Sequence, residues 1–314
     1  MTDPQGLGRS PRFAQIASFA RLPQSQDLSA AKGVFLGIPW DDATSFRSGA
    51  REGPSAIRNN SRLVRSYNMF AKVYPFRVLN IVDWGDIDPV PGFLEDTFQR
   101  IEAGLTPIFK AGVVPFVAGG DHSITLPILR AQKAATGKSV SLLHFDAHFD
   151  TWEAYWQTKR YTHGTWVKRA YEEGLLTKGN VFQVGIRSPL YDAQDVPNNA
   201  AIVHRTYTTE DVDANGYAPI MDQVVSEIRD DPVYVSLDID VLDPAFAPGT
   251  GTPEAGGLTS RELLAILRSL ARLNLVGADI VEVAPAYDHA QVTGIAAAHA
   301  GYELLSAMAP WETA

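Results

Sequence analysis

The amino-acid sequence predicts an α/β fold: one mostly parallel sheet covered by helices on both faces. Short runs of Val, Ile, Leu and Phe recur along the chain and are continuously apolar, as strands buried on both faces are. Each is followed by a stretch with helical spacing, and there are about eight of each. The polar residues able to do chemistry fall at the C-terminal ends of these runs, the edge where open α/β sheets place ligands.

Taken in order, residues 1–30 are polar and punctuated by Pro and Gly. They read as an irregular arm with little core, either loose or packed at a subunit contact. No linker-like break follows, so 31–314 reads as one domain. Residues 34–38 are the first buried strand. The loop after it is Gly- and Pro-rich, and Pro54 suits the first turn of a helix reaching about residue 65. A strand is expected at 78–82, a loop at 83–86 and a helix at 93–110. The strand 113–118 ends in Gly119-Gly120-Asp121-His122-Ser123; the glycines let the backbone turn, and His122 opens the next helix. Residues 139–145 form the central strand, and a helix follows near 166–173. Short strands are expected at 181–185 and 201–204, then a helix at 217–229, a strand at 233–237 and a helix at 259–273. The last strand, 277–283, carries Glu282 near its end, and 293–308 is a closing helix.

The chain has 36 acidic and 27 basic residues, a formal net charge of −9. That balance, with no basic run, argues against nucleic-acid binding. No stretch approaches the ~20 apolar residues of a membrane span, and the N-terminus lacks an apolar signal core. The reading is a cytoplasmic protein. Cys is absent, which excludes disulfides and Cys-ligated zinc or iron–sulfur sites.

The central strand runs into Asp146-Ala147-His148-Phe149-Asp150. An extended chain puts alternate residues on one face, so Asp146, His148 and Asp150 converge just past its end. Val233-Tyr234-Val235-Ser236-Leu237-Asp238-Ile239-Asp240 repeats the pattern. With His122, these segments offer two His and four Asp. Like charges at a buried sheet edge are costly unless a cation compensates them. Carboxylate with imidazole suits Mn, Fe, Co, Ni or Zn, and the oxygen-rich balance leans toward Mn. Six ligands exceed the need of one ion, which points to a pair of divalent metals. With Glu282 added the pocket is net negative and suits a cationic substrate. A two-metal site makes hydroxide available at neutral pH, so metal-assisted hydrolysis follows. His144 sits one step deeper and reads as a core histidine; His204, His289 and His299 have no motif around them.

These segments, together with Asp243-Pro244 and Val281-Glu282-Val283-Ala284-Pro285, resemble the ureohydrolases, the arginase and agmatinase family. The similarity spans about residues 33–307, and the stretch from Arg47 to Arg58 looks more like the agmatinase branch. The resemblance implies a three-layer αβα sandwich around an eight-stranded parallel sheet, usually trimeric or hexameric, with Mn²⁺ or in some members Ni²⁺. It assigns one metal to His122, Asp146, Asp150 and Asp238, and the other to Asp146, His148, Asp238 and Asp240. It also implies that Glu282 holds a guanidinium, that Asp150 passes a proton to the leaving nitrogen and that His163 is a proton shuttle, giving urea and an amine.

The segment after the central strand lacks the Asn and Ser with which arginases read an α-carboxylate. Gly185-Ile186-Arg187-Ser188 lacks their acid for the α-amino group. Arginine is therefore disfavoured. Trp152, Tyr155, Trp156 and Tyr161 offer aromatic contacts to a small cationic guanidino substrate, with Trp166 and Phe149 near. Agmatine needs an acceptor for its distal amine, for which Glu153 is expected. 4-Guanidinobutyrate needs a cation, Lys159 or Arg160. A small or N-alkylated guanidine or a biguanide such as metformin needs only an aromatic box. The aromatics alternatively pack the loop or a subunit contact. A single-zinc, deacetylase-like amidohydrolase and a non-catalytic subunit of a hetero-oligomer are the readings from other classes.

Overall fold

The computed structural model describes residues 10–309. Eight strands form one sheet: β1 (Gly33–Gly37), β2 (Val82–Asp86), β3 (Val114–Ala118), β4 (Val140–Phe145), β5 (Leu176–Ile186), β6 (Arg205–Thr208), β7 (Pro232–Asp238) and β8 (Asn274–Val281). Their order is β2-β1-β3-β8-β7-β4-β5-β6, and every pairing is parallel. Parallel neighbours need a crossover, and helices supply most of them. The chain leaves the sheet at β3 and re-enters at β4, and β8 and β7 later fill the gap between them. That reversal opens a crevice at the carboxyl edge of four adjacent strands.

Side chains alternate across the sheet, so each strand between the two edges feeds two cores. Phe35, Phe116, Leu143, Phe145 and Val235 face one core. Over it pack α1 (Gly53–Asn60) and three later helices, Tyr217–Ile228, Ser260–Ser269 and Val292–Met308. Val34, Leu36, Val117, Leu142 and Tyr234 face the other core. There Leu94–Lys110, Thr125–Thr136 and Trp166–Glu172 close the layer. The three-layer sandwich is complete. The helix beginning at Ser260 shows why it starts there: the Thr259 side chain accepts from the Glu262 N–H, and Glu262 reaches back.

Four local expectations are corrected. The second strand lies at Val82–Asp86, not 78–82, because Pro75 starts a one-turn helix, Pro75–Val78. The expected loop 83–86 is therefore strand. The sixth strand starts at Arg205, not 201, because Asp195–Ala200 is helical and the chain then turns Val203 inward. The segment before residue 30 does enter the core: Phe19 is fully buried, stacks on Phe35 at 4.4 Å, and its N–H donates to Asp83 Oδ2 at 2.8 Å; residues 1–9 lie outside the described residues. The glycines of Gly119-Gly120 serve close approach, since neither has positive φ. A Cβ on Gly120 would lie 1.6 Å from the Trp40 carbonyl oxygen, so the loop after β1 can cross there only over a glycine.

Arg58 of α1 reaches into β2. Its Nε and Nη2 bond both oxygens of buried Asp83 at 2.9 and 3.0 Å, Nη1 bonds Asp86 at 2.6 Å, and the guanidinium lies 4.9 Å from the Phe35 ring centroid. Removing one partner of such a pair strands the other charge in the core, a loss of about 3–5 kcal/mol. Arg58→Met is therefore expected to lower the unfolding free energy by about that much in urea denaturation; a change under about 1 kcal/mol would show that the pair is not holding α1 to the sheet.

Candidate metal centre

Three of the four strands at the crevice end in a ligand-bearing turn, and β8 is followed by Glu282. His122 follows β3, Asp146, His148 and Asp150 follow β4, Asp238 closes β7, and Asp240 lies one turn beyond. His122 Nδ1 lies 3.1 Å from Asp146 Oδ2 and 3.2 Å from one oxygen each of Asp150 and Asp238. His148 Nδ1 lies 3.2 Å from Asp146 Oδ1 and 3.1 Å from Asp240 Oδ2. Asp146 thus turns one oxygen to each half of the cluster. Two groups with ligand atoms within 4.8 Å of one another result: His122, His144, Asp146 and Asp150, and Asp146, His148 and Asp240. All six expected metal ligands are brought together, and all but His148 are fully buried.

The orientation of His122 is fixed from behind. Buried Asp279 of β8 accepts from the Ser236 hydroxyl at 2.7 Å, and from Thr125 and Tyr234 at 2.9 Å each. Ser236 Oγ, its proton given to Asp279, accepts from His122 Nε2–H at 2.8 Å. In the neutral, metal-binding form of the ring the lone pair of Nδ1 therefore points into the acids. That buried nitrogen has no hydrogen-bond partner, and orphaned buried donors or acceptors are rare. The donor set and the bare nitrogen fit a cation. His144 is more than the core histidine expected. Gln183 donates to its Nδ1 at 3.2 Å, so its Nε2–H donates to Asp146 Oδ2 at 2.8 Å. It orients a central carboxylate.

Charge reinforces geometry. Burial, then the charge of Asp146, pushes the Asp150 carboxyl up to about 8. Burial, with Asp240 and Asp146, holds Asp238 well above the usual range. Burial opposes charge on His122 and His148 as well, yet the surrounding carboxylates outweigh it and raise both. Without cations this cluster keeps protons, and divalent ions compete for the same oxygens and nitrogens. Asp150 and Glu282 also hold positive φ, 53° and 62°. Such backbone costs roughly 1–3 kcal/mol and gathers at functional sites.

Glu282 stands beside the cluster. Its Oε1 accepts from the His122 N–H at 2.9 Å and lies 3.0 Å from His163 Nδ1. His163 Nε2 accepts from the Ser45 N–H at 3.0 Å, so neutral His163 carries its proton on Nδ1, toward Glu282. Glu282 Oε2 is buried without a partner. Gly251 leaves that oxygen room; a Cβ there would lie 3.4 Å from it. Asp150 is aimed by Trp166, whose Nε1–H donates to it at 2.8 Å.

The cluster floors a cleft of about 640 Å³. Trp152, Tyr155, Trp156 and His163 line it as expected, and Tyr191, Phe46 and Arg47 join them. The aromatic rings touch one another: Tyr155 lies 5.9 Å from Trp152, 5.6 Å from Trp156 and 6.4 Å from Tyr191. Three expectations fail. Glu153 turns outward to Lys168, Arg160 and Arg169. Lys159 and Arg160 are exposed and do not line the cleft, and Arg160 pairs with Glu172. Tyr161 packs on Phe98. The turn bearing 153–161 points these side chains to solvent. Ser45, Asp279 and Tyr191 carried no local motif and were missed; Arg47 opens the agmatinase-like stretch, but its place in the cleft was not foreseen.

The model of the arginase family matches residues 31–306. The chain belongs to the arginase family. It is 40% identical to the guanidinopropionase of Pseudomonas aeruginosa over 98% of this chain and 96% of that one. With the guanidinobutyrase of the same organism it shares 42% identity over 96% and 95%. The solved structure of proclavaminate amidinohydrolase from Streptomyces clavuligerus superposes with a TM-score of 0.90 at 40% identity, covering 96% of this chain and all of that one. This family member is a metal-dependent amidinohydrolase, and its His/Asp cluster is able to bind metal. Arg187, where arginine-specific relatives were expected to place an acid, instead bonds the carbonyls of Asp240 and Glu254 at 2.7 and 2.6 Å. It clamps two loops of the site.

Two outcomes follow for metal binding. Ser236→Ala frees the His122 ring and is expected to weaken one of two binding steps about 10–100-fold in calorimetric titration of stripped protein; two unchanged steps would contradict it. Asp150, raised from 3.8 to about 8, adds stability to stripped protein that is complete below the lower value and lost as pH rises through the higher. The melting-temperature gap between loaded and stripped protein therefore widens across that window, and a gap that narrows would refute the proton–metal competition.

Proposed function

We propose that this chain hydrolyses a linear guanidino compound to urea and an amine. The observation that supports it most is the unpartnered Oε2 of Glu282, buried beside the ligand cluster. A guanidinium fits that oxygen as a donor of charge-assisted hydrogen bonds. His122, Asp146, Asp150 and Asp238 hold one ion in this reading, and Asp146, His148, Asp238 and Asp240 the other. When bound, the pair supplies hydroxide at neutral pH and offsets the buried negative charge. Mn²⁺ is the first choice for so oxygen-rich a set and Ni²⁺ the second.

The chain's own residues do the rest. Glu282 fixes the guanidino group, and the N–H of His122 and the ring of His163 fix Glu282. Asp150, lining the cleft and steered by Trp166, passes a proton to the leaving nitrogen as the C–N bond breaks. His163 joins Glu282 on one side to Ser45 Oγ, 2.7 Å away, on the other. That is a route for protons between the site and the cleft. Trp152, Tyr155 and Trp156 wall the substrate and exclude water. The full set of six ligands favours this reading over a single-zinc deacetylase or a non-catalytic subunit.

A homo-oligomer, trimer or hexamer, remains part of the proposal. Met69 and Phe70 are 70% and 60% exposed, and Phe13 and Ile16 more so; apolar side chains of that kind suit contact with further copies. No helix of the described residues is long and apolar enough to cross a membrane, and the absence of Cys suits the cytoplasm.

Urea release settles the substrate. A panel of agmatine, 4-guanidinobutyrate, 3-guanidinopropionate, arginine, guanidine, dimethylguanidine and metformin, with Mn²⁺ and Ni²⁺ apart, is expected to favour a linear compound other than arginine. Release from metformin or dimethylguanidine alone would overturn that. Asp238→Asn is expected to abolish turnover and lower metal content, and Glu282→Gln to lose about 10²-fold or more in kcat/KM. Full occupancy and turnover in the first variant would refute the ligand set.

A further inference from the structure

The loop after β1 carries a cation that the chemistry above leaves unused. Among the described residues lining the cleft, Arg47 is the one Lys or Arg. Its side chain makes no ion pair or hydrogen bond among the described residues, although the carboxylates of Asp150, Asp238 and Glu254 line the same cleft. Two rings hold the guanidinium in place: its Cζ lies 5.2 Å from the Phe46 centroid and 5.0 Å from that of Tyr287. Stacking restrains the plane and leaves the N–H edge free, the fork that matches a carboxylate. A half-buried arginine in a net-negative cleft ordinarily finds an acid, and this one has none.

Its place in the cleft matters as much. The Arg47 carbonyl lies 2.9 Å from where a Cβ on Gly251 would sit, and Glu282 Oε2 lies 3.4 Å from the same point. The backbone that launches Arg47 and the oxygen proposed for the guanidinium thus flank one glycine. A short linear molecule held at Glu282 therefore lies on the same wall of the cleft from which Arg47 is rooted. The acids that a distal ammonium requires are occupied. Glu254 Oε1 faces His148 Nε2 at 3.7 Å, and Glu153 is turned to solvent.

We propose that Arg47 forms a carboxylate subsite and that the substrate is a linear guanidino acid, with the guanidinium at Glu282 and the carboxylate at Arg47. This deepens the ureohydrolase reading and rests on it. Three compounds of similar length separate the possibilities: 4-guanidinobutyrate, agmatine with an amine at the same end, and butylguanidine with none.

The Mn²⁺-loaded wild-type enzyme is expected to prefer 4-guanidinobutyrate. In Arg47→Gln the kcat/KM ratio of guanidinobutyrate to butylguanidine is expected to fall about 30-fold or more, chiefly through KM, with partial recovery in Arg47→Lys. Equal use of agmatine and guanidinobutyrate by the wild type, or equal losses on all three compounds in Arg47→Gln, would overturn the subsite. Calorimetry of 4-guanidinobutyrate binding separates the two claims. Binding that depends on Arg47 without urea from any compound sinks the hydrolase reading and keeps the subsite. Turnover and binding indifferent to Arg47 sink the subsite alone.

Discussion

Repulsion among buried acids is the constraint on which this structure turns. Asp146, Asp150, Asp238, Asp240 and Glu282 lie together at the carboxyl edge of the sheet, nearly without solvent. Water cannot screen them there, and the isolated charges carry a heavy desolvation cost. Protons on the acids and histidines relieve the repulsion in part, and a pair of divalent cations would offset most of it, leaving the site net negative beside Glu282. Much around the cluster serves to keep the acids from relaxing apart. Ser236 with Asp279 holds one imidazole, Gln183 holds another, and Trp166 holds Asp150. The positive φ of Asp150 and Glu282 belongs to the same economy of strain, backbone discomfort accepted so that carboxylates point inward.

The ligand cluster was legible because strand geometry is periodic. Asp146, His148 and Asp150 alternate after an apolar run, and a two-residue repeat at a strand end has one spatial meaning. The αβα layering followed from continuous apolar strands between helical stretches. What escaped were features of tertiary origin. Asp279 is a lone acid inside an apolar strand; only the fold shows that three hydroxyls, two from β7 and one from the start of the helix Thr125–Thr136, surround it. The β2 boundary slipped because Val78 and Ile81 are apolar in either conformation, and Pro75 decided the matter. The substrate cation was sought in Lys159 and Arg160, near the signature in sequence. A turn at Trp156 and Gln157, both with positive φ, carries those residues outward. Arg47, more than a hundred positions earlier, occupies the mouth instead.

The two histidines beside Glu282 illustrate how hydrogen bonds assign chemistry. A backbone N–H can only donate, so the Ser45 amide makes His163 Nε2 an acceptor and sends its proton toward Glu282. A hydroxyl already donating to a carboxylate makes Ser236 an acceptor and, in neutral His122, leaves Nδ1 as the nitrogen without a proton. Neither assignment is visible in the chain as written, and both follow once the partners are fixed.

The ligand cluster stands at strand ends, whereas the cleft mouth is built from loops: 43–52 after β1, 151–162 after β4, 188–192 after β5 and 250–254 after β7. Those loops make few of the sheet's ladder bonds, so their sequence can drift without disturbing register. One scaffold can thereby diversify its diet while its reaction stands still. Relatives about 40% identical to this chain that bear the names guanidinopropionase and guanidinobutyrase are what such a separation produces.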